Sequence, residues 1–478
     1  MQISKYYKLG RNQSQLDFVD IKLNTDIPVF LDPTAIKSLD SPWGNELASL
    51  LQSFFEEVLV NIKGGRHSVA QALLASLRER NEFHLGFSKG KSQGHAFGAK
   101  SAEVVWGALF SSNASLTGLL EDLEDTCLLL DGIGPDMISD AVSNILRGPL
   151  IKYTQDMCTY YGIPMTPGVE SGPIWNAVKG KWDNAFVQLP VAGKFGKVIL
   201  VPKLLVRQKL SYRVDEYYRH YLLPEMQRSE LKARTPLVEV LKNGSERVTK
   251  TALMNKYGKD KLAVVNMTLK HPDALADYRI DKRDKAPVPL SHESIAELEE
   301  AEKPDWNALK SELEAIPPGN DSAGDYEKVI EKIFTAIFYP SLCHPKKQHN
   351  LHDGRKRVDI TYTNEAKGGF FYWLTLHYAS SLIFVECKNY GKELGNPEVD
   401  QLSGRFSPSR GQVGILACRT VADKVRLAAR CKDTAKDSRG FIVVLDDNDV
   451  FVLLDEMSSC VALPDYELLR KKFLDLIQ

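Results

Sequence analysis

Val358-Asp359-Ile360 and, further along, Leu382-Ile383-Phe384-Val385-Glu386-Cys387-Lys388-Asn389 decide how this chain is read. The first is a short β-like segment that carries one acid. The second is an apolar run that ends in Glu-x-Lys. Side chains alternate along a strand, so Glu386 and Lys388 share one face while Cys387 points the other way, into the core. The run Leu382 to Val385 is apolar at every position and suits a strand covered on both faces. A buried strand ending in an acid and a base brings charge to the rim of a core. Such charge is costly unless a metal ion, a partner or a substrate compensates it.

Asp359 and Glu386 are hard oxygen donors of the kind Mg²⁺ prefers, with Mn²⁺ as a possible substitute. Lys388 beside them suits holding or deprotonating a metal-bound water and steadying a phosphate. Residues of these types together point to metal-assisted phosphodiester hydrolysis. An isolated Glu-x-Lys is ordinarily a surface pair at a strand end, and the surrounding residues are what set this one apart.

Four pieces, in order, resemble the PD-(D/E)XK, or restriction-endonuclease-like, nuclease superfamily. Asp325 to Phe334 looks like its first helix, Gly354 to Ile360 like its "PD" strand with Val358 in place of the proline, Phe384 to Asn389 like its (D/E)XK strand, and Val399-Asp400-Gln401-Leu402 like the helix that follows. The resemblance covers about residues 320–478. It implies Asp359, Glu386 and Lys388 as catalytic residues, with Mg²⁺ held by Asp359, Glu386 and the Cys387 backbone carbonyl. It also implies Glu327 in support of a second ion or bound water, and Gln401 orienting Lys388 or a phosphate. Helical spacing alone does not choose between Glu327 and Glu331, one turn apart on the same side. Arg355, Lys356, Arg357 and Asn389 are the expected nucleic-acid contacts, and Lys346 and Lys347 add to the positive charge around Asp359.

The expected activity is metal-dependent cleavage of DNA, as in bacterial restriction or anti-phage defence. A non-catalytic nucleic-acid- or protein-binding module on the same fold is the main alternative, and an RNA-cleaving effector another. A homo-oligomer, or a partner protein of a defence system, fits double-strand cleavage, which takes two active sites.

The 478 residues give material for two to four domains, and 43% apolar with 26% charged content is ordinary for a globular chain. A net charge of −1 excludes a global nucleic-acid signature, so basic surface must be local. The N-terminus has no apolar signal-like run, and no window nears the 18 apolar residues of a membrane span. Seven scattered cysteines without a C-x-x-C pair argue against a disulfide framework or a zinc site. A cytoplasmic protein with reduced thiols is expected.

The fold class expected is α/β. A C-terminal mixed sheet flanked by helices (325–478) follows a larger mixed α+β region. Residues 1–178 read as an α+β domain for sensing or targeting, with strands near Phe18–Ile21 and Pro28–Pro33 and helices from Leu47 and from Ser68. The glycine loop 86–92 is one residue short of a phosphate-binding loop. Residues 179–290 read as a basic mixed α/β region with interleaved aromatics, a strand at Val198–Val201 and a helix at Val214–Leu222. Between Lys179 and Lys285 there are 23 Lys and Arg against 12 Asp and Glu. Either a phosphate-backbone surface or solvated charge on opposite faces accounts for this. Residues 291–324 read as an acidic helical connector ending in a flexible hinge near 318–324. In the C-terminal region, Asn448–Leu454 is expected as an edge strand and Tyr466–Ile477 as a closing helix.

Overall fold

The structure, a computed structural model, describes residues 1–77, 80–86, 107, 109, 113–285, 287–351, 356–390, 394–459 and 464–478; for residues 113, 116, 348–351, 356 and 357 it describes the backbone alone. Most of the glycine loop at 86–92 lies outside these residues.

The β-branched and aromatic runs of the C-terminal half form one five-stranded sheet. Its elements are α1 (Trp306–Glu314), α2 (Ala323–Ile337), β1 (Leu342–Leu351), β2 (Lys356–Asn364), α3 (Gly369–His377), β3 (Leu382–Lys388), α4 (Asn396–Ser403), β4 (Val413–Cys418), α5 (Lys424–Lys436), β5 (Phe441–Asp446), α6 (Asp447–Ser459) and α7 (Glu467–Ile477). The strand order is β5-β4-β3-β2-β1. β1, β2 and β3 pair antiparallel, while β3, β4 and β5 pair parallel through helical crossovers. This is the mixed, helix-flanked sheet the sequence leads one to expect.

Alternation assigns the two faces. Tyr362 reaches α2, its hydroxyl 3.0 Å from Thr335 Oγ1, so Val358 and Ile360 face α2 as well. Phe384 meets Phe406 on the other side, just beyond α4, with ring centroids 5.7 Å apart. Gly414 on β4 lets that side close: a Cβ there would lie 2.9 Å from the Phe406 ring and 3.2 Å from Leu402.

The expected edge strand at Asn448–Leu454 is instead part of α6. Asp446 Oδ1 accepts the Asp449 N–H at 3.0 Å, and Asp449 Oδ2 accepts the Asp446 N–H at 2.9 Å. This reciprocal cap starts a helix directly at the strand end. Val450, Leu453 and Leu454 then fall on one buried stripe.

The acidic connector and hinge also require correction. Leu309 and Leu313 of α1 are buried in the same core as the sheet. Pro317 and Gly319 carbonyls accept from Asn389 Nδ2 at 3.1 and 2.8 Å, and the Gly319 N–H donates to the Asn389 carbonyl. The turn is tied to β3, so the C-terminal unit begins before Trp306 and 318–324 is no free hinge.

Residues 1–178 and 179–290 share one hydrophobic core rather than forming two domains. Asp32 caps the Pro33–Lys37 helix, as its position before proline implies, and Ser41 caps Pro42–Lys63. The Ser68 helix is His67–Leu74. Of the two early strands, Phe30–Leu31 pairs with Val206–Arg207, while Phe18 makes a single bridge to Pro202. Val198–Val201 is no ladder strand: it is fully buried, with N–H groups going to Pro190, Glu82 and Thr154. The Val214 helix runs on to Ala233 through a π-turn at Tyr218–Leu222.

Part of the basic region is structural charge. Tyr212, Tyr217 and Tyr218 are buried, and Lys203 and Arg207 lie in the core. Arg279 pairs with Asp125, Lys282 with Glu216 and Lys285 with Asp281.

A charged seam joins the two cores. Glu331 on α2 is 0% exposed and Arg11, from the N-terminal half, 8%. The guanidinium grips both carboxylate oxygens, one at 3.1 Å, and lies over the Tyr161 ring. Lys347 on β1 approaches the same carboxylate at 3.4 Å. Beside them, Asp17 accepts from the His344 N–H at 3.0 Å and from Tyr153 Oη at 2.7 Å. Removing one partner of such a buried pair leaves the other charge uncompensated. With Lys347 still present, Arg11→Ala should cost about 3 kcal/mol, the low end for such a break. Urea unfolding of the full chain measures it, and a loss under about 0.5 kcal/mol, as for an exposed pair, would show that water screens the contact.

Candidate active site

Ile360 pairs with Val385 across β2 and β3. Asp359 precedes the one and Glu386 follows the other, so the antiparallel register sets the two carboxylates opposite each other on one face. That is the face of α4, opposite α2. Cys387, between Glu386 and Lys388, turns toward the α2 side, and its N–H donates to Asp359 Oδ2 at 2.9 Å.

Glu386 is 1% exposed and Lys388 12%. Lys388 Nζ lies 2.8 Å from Glu386 Oε1. Gln401 of α4 donates its Nε2–H to the same oxygen at 2.5 Å. Glu386 Oε2 is buried without a hydrogen-bond partner. One carboxylate oxygen is thus doubly served and the other left bare beside Asp359, an arrangement that suits a cation.

Burial, and then the Asp359 charge, push the Glu386 pKa above its ordinary 4.5, against the opposing pull of Lys388 and Arg405. For Lys388, burial favours the neutral amine, but Glu386 and Asp359 outweigh it and the net shift is upward. At neutral pH Lys388 is therefore an ammonium, which orients and stabilises charge instead of accepting a proton.

Asp359, Glu386, Lys388 and Gln401, singled out from sequence, are brought together, although Gln401 bonds to Glu386 rather than to Lys388. Glu327 makes its charge felt, together with those of Asp359 and Glu386, at Cys387, the residue between Glu386 and Lys388. It stands in the first half of α2 and is partly buried. Among the described residues no three His, Cys, Asp or Glu side chains gather as a metal-holding group. Glu331 is committed to Arg11 and Lys347, which removes it from the choice.

Asn389, expected at the nucleic acid, is 2% exposed and its amide holds the 317–319 turn. Arg355 and the side chains of Lys356 and Arg357 lie outside the described residues. Sequence reasoning missed Arg405, whose positive charge is felt at Glu386. It lies on a turn past Ser403, the end of α4, so helical spacing from Gln401 gave no signal for it.

Residues 8–213 match the model of a family described as a domain of unknown function, DUF8370. No curated protein and no solved structure matches the chain. The matched stretch lies within the N-terminal core, and the Asp359–Glu386 site is outside it. Among the described residues no helix is long and apolar enough to cross a membrane.

Because the Glu386 pKa is raised on folding, its contribution to stability is full below the ordinary value of 4.5 and is lost as pH rises through the folded value. Glu386→Gln removes that loss. The variant should melt above the wild type at pH 8, with the difference shrinking toward pH 4. Thermal unfolding across that range measures it, and an E386Q protein less stable than wild type at pH 8 contradicts the electrostatics.

Proposed function

We propose that this protein is a metal-dependent endonuclease that hydrolyses phosphodiester bonds in DNA. The observation that carries the reading is the convergence of Glu386 and Lys388, at the end of β3, with Asp359 on the facing part of β2, and a buried Glu386 carboxylate oxygen left unsatisfied. The resemblance of residues 320–478 to the PD-(D/E)XK nucleases supports the same reading.

The donor set fits Mg²⁺, which binds through one or two carboxylates and keeps several waters. Asp359, Glu386 and the Cys387 carbonyl would hold the ion, which supplies Lewis-acid charge and lowers the pKa of water. The chain's own groups do the rest. Gln401 and Lys388 fix the orientation of Glu386 by occupying one of its oxygens. The Cys387 N–H fixes Asp359. Lys388, as an ammonium, donates to a non-bridging phosphate oxygen or to the attacking water, where negative charge grows in the transition state. Glu327, whose charge reaches the Cys387 position, would support a second ion or a bound water.

The N-terminal half, joined to the catalytic unit by the Arg11–Glu331 seam, serves on this reading as the part that recognises a target or trigger. Restriction or anti-phage defence in a bacterial cytoplasm is the setting proposed. A homo-oligomer would supply the two active sites that double-strand cleavage needs.

Supercoiled plasmid incubated with the full-length protein should be nicked or linearised in Mg²⁺ or Mn²⁺ and untouched in EDTA. Lys388→Ala or Asp359→Ala should lower the rate by about 100-fold or more, as loss of a positioned catalytic group does, while binding persists. Full cleavage by Lys388→Ala, or cleavage in EDTA, overturns the reading. A parallel RNA substrate tests the alternative polymer.

A further inference from the structure

Two adjacent lysines on β1 face opposite ways, and the difference assigns them different work. Lys347 pairs in register with Ile360, which faces α2, and its ammonium is taken up by Glu331 on that side. Lys346 pairs with Thr361, two residues from Asp359 and so on the face that carries the two carboxylates. It is exposed. Strand spacing of about 4.8 Å and a rise of about 3.4 Å per residue put its Cα roughly 8 Å from that of Asp359. The extended lysine side chain spans most of that gap.

On the other flank stands Arg405, on the turn after α4, its N–H bonded to the Leu402 carbonyl at 2.9 Å. It is half-buried, and its charge reaches Glu386. Lys388 lies between the two on β3. Lys346 on β1, Lys388 on β3 and Arg405 on the turn after α4 thus place positive charge around the acid pair. Acids surrounded in this way attract a polyanion whose charges repeat along a line, and one anion alone would not need the outermost lysine.

We propose that Lys346 and Arg405 are backbone-tracking residues, which hold the phosphates on either side of the phosphodiester seated at Asp359 and Glu386. The inference rests on the nuclease reading for the identity of the central phosphate. The track itself is a statement about binding. Phosphate contacts of this kind position a strand without reading its sequence, so no base preference is assigned to either residue.

The test measures binding, not cleavage, in the full-length Asp359→Ala protein, using a labelled duplex DNA without added metal across a salt series. Each lost phosphate contact should lower the slope of log K against log salt by about 0.9. Lys346→Ala and Arg405→Ala should each show that shift for unrelated sequences alike, and Lys347→Ala should leave the slope unchanged. Circular dichroism melts confirm that each variant is folded. Retention of the parental slope by both Lys346→Ala and Arg405→Ala overturns the track, as does failure of the parent to bind the duplex or the corresponding single strand. If the slopes shift as expected but the wild-type protein cleaves nothing in Mg²⁺ or Mn²⁺, the track stands and the nuclease reading falls.

Discussion

The register between β2 and β3 is the constraint on which the site depends. With Ile360 opposite Val385, Asp359 and Glu386 face each other at the end of the paired stretch. A slip of one residue would turn one acid into the α2 core and destroy the arrangement. The hydrophobic residues on the two faces therefore do more than stabilise the sheet. Val358, Ile360 and Tyr362 can be buried against α2 only in the register that also sets the carboxylates across from each other.

This geometry also explains how four polar groups divide their tasks. Glu386 is nearly sealed from water, so it needs donors, and Lys388 and Gln401 supply them to one oxygen only. Asp359 is held by a backbone N–H. The charge left over is a carboxylate oxygen without a partner and an ammonium kept protonated by its neighbours. Function accounts for this better than stability does, since a buried acid beside a second carboxylate works against folding.

Much of the C-terminal unit was legible in the sequence because periodicity and burial coincide there. The runs at Leu382, Val413 and Phe441 are apolar on both faces, and each became a central or parallel strand. The short site motif was legible because alternation along a strand fixes which side chains share a face. The errors have physical causes. Asn448–Leu454 is rich in residues that favour strands, yet the Asp446–Asp449 cap fixed it as helix. The 291–324 stretch is acidic and ends in prolines, but Leu309 and Leu313 lie at helical spacing and bind it to the core. The choice between Glu327 and Glu331 could not be made locally, because the residue that claims Glu331 is Arg11, more than three hundred positions away. The excess of lysine and arginine in 179–285 was visible as a count, but the acid that neutralises Arg279 is Asp125, from outside that stretch.

The direct passage of β5 into α6 has a further meaning. With no loop between Asp446 and Asp447, and with Arg419, Lys424 and Lys472 spent on the acids there, that margin of the sheet is a rigid, charge-balanced wall. The opposite margin is different in kind, since β1 and β2 run on beyond the carboxylates. The sheet therefore closes tightly at one margin and extends at the other. The acid pair thus sits off-centre, between a charge-compensated helix start on one flank and a paired, lysine-bearing strand on the other.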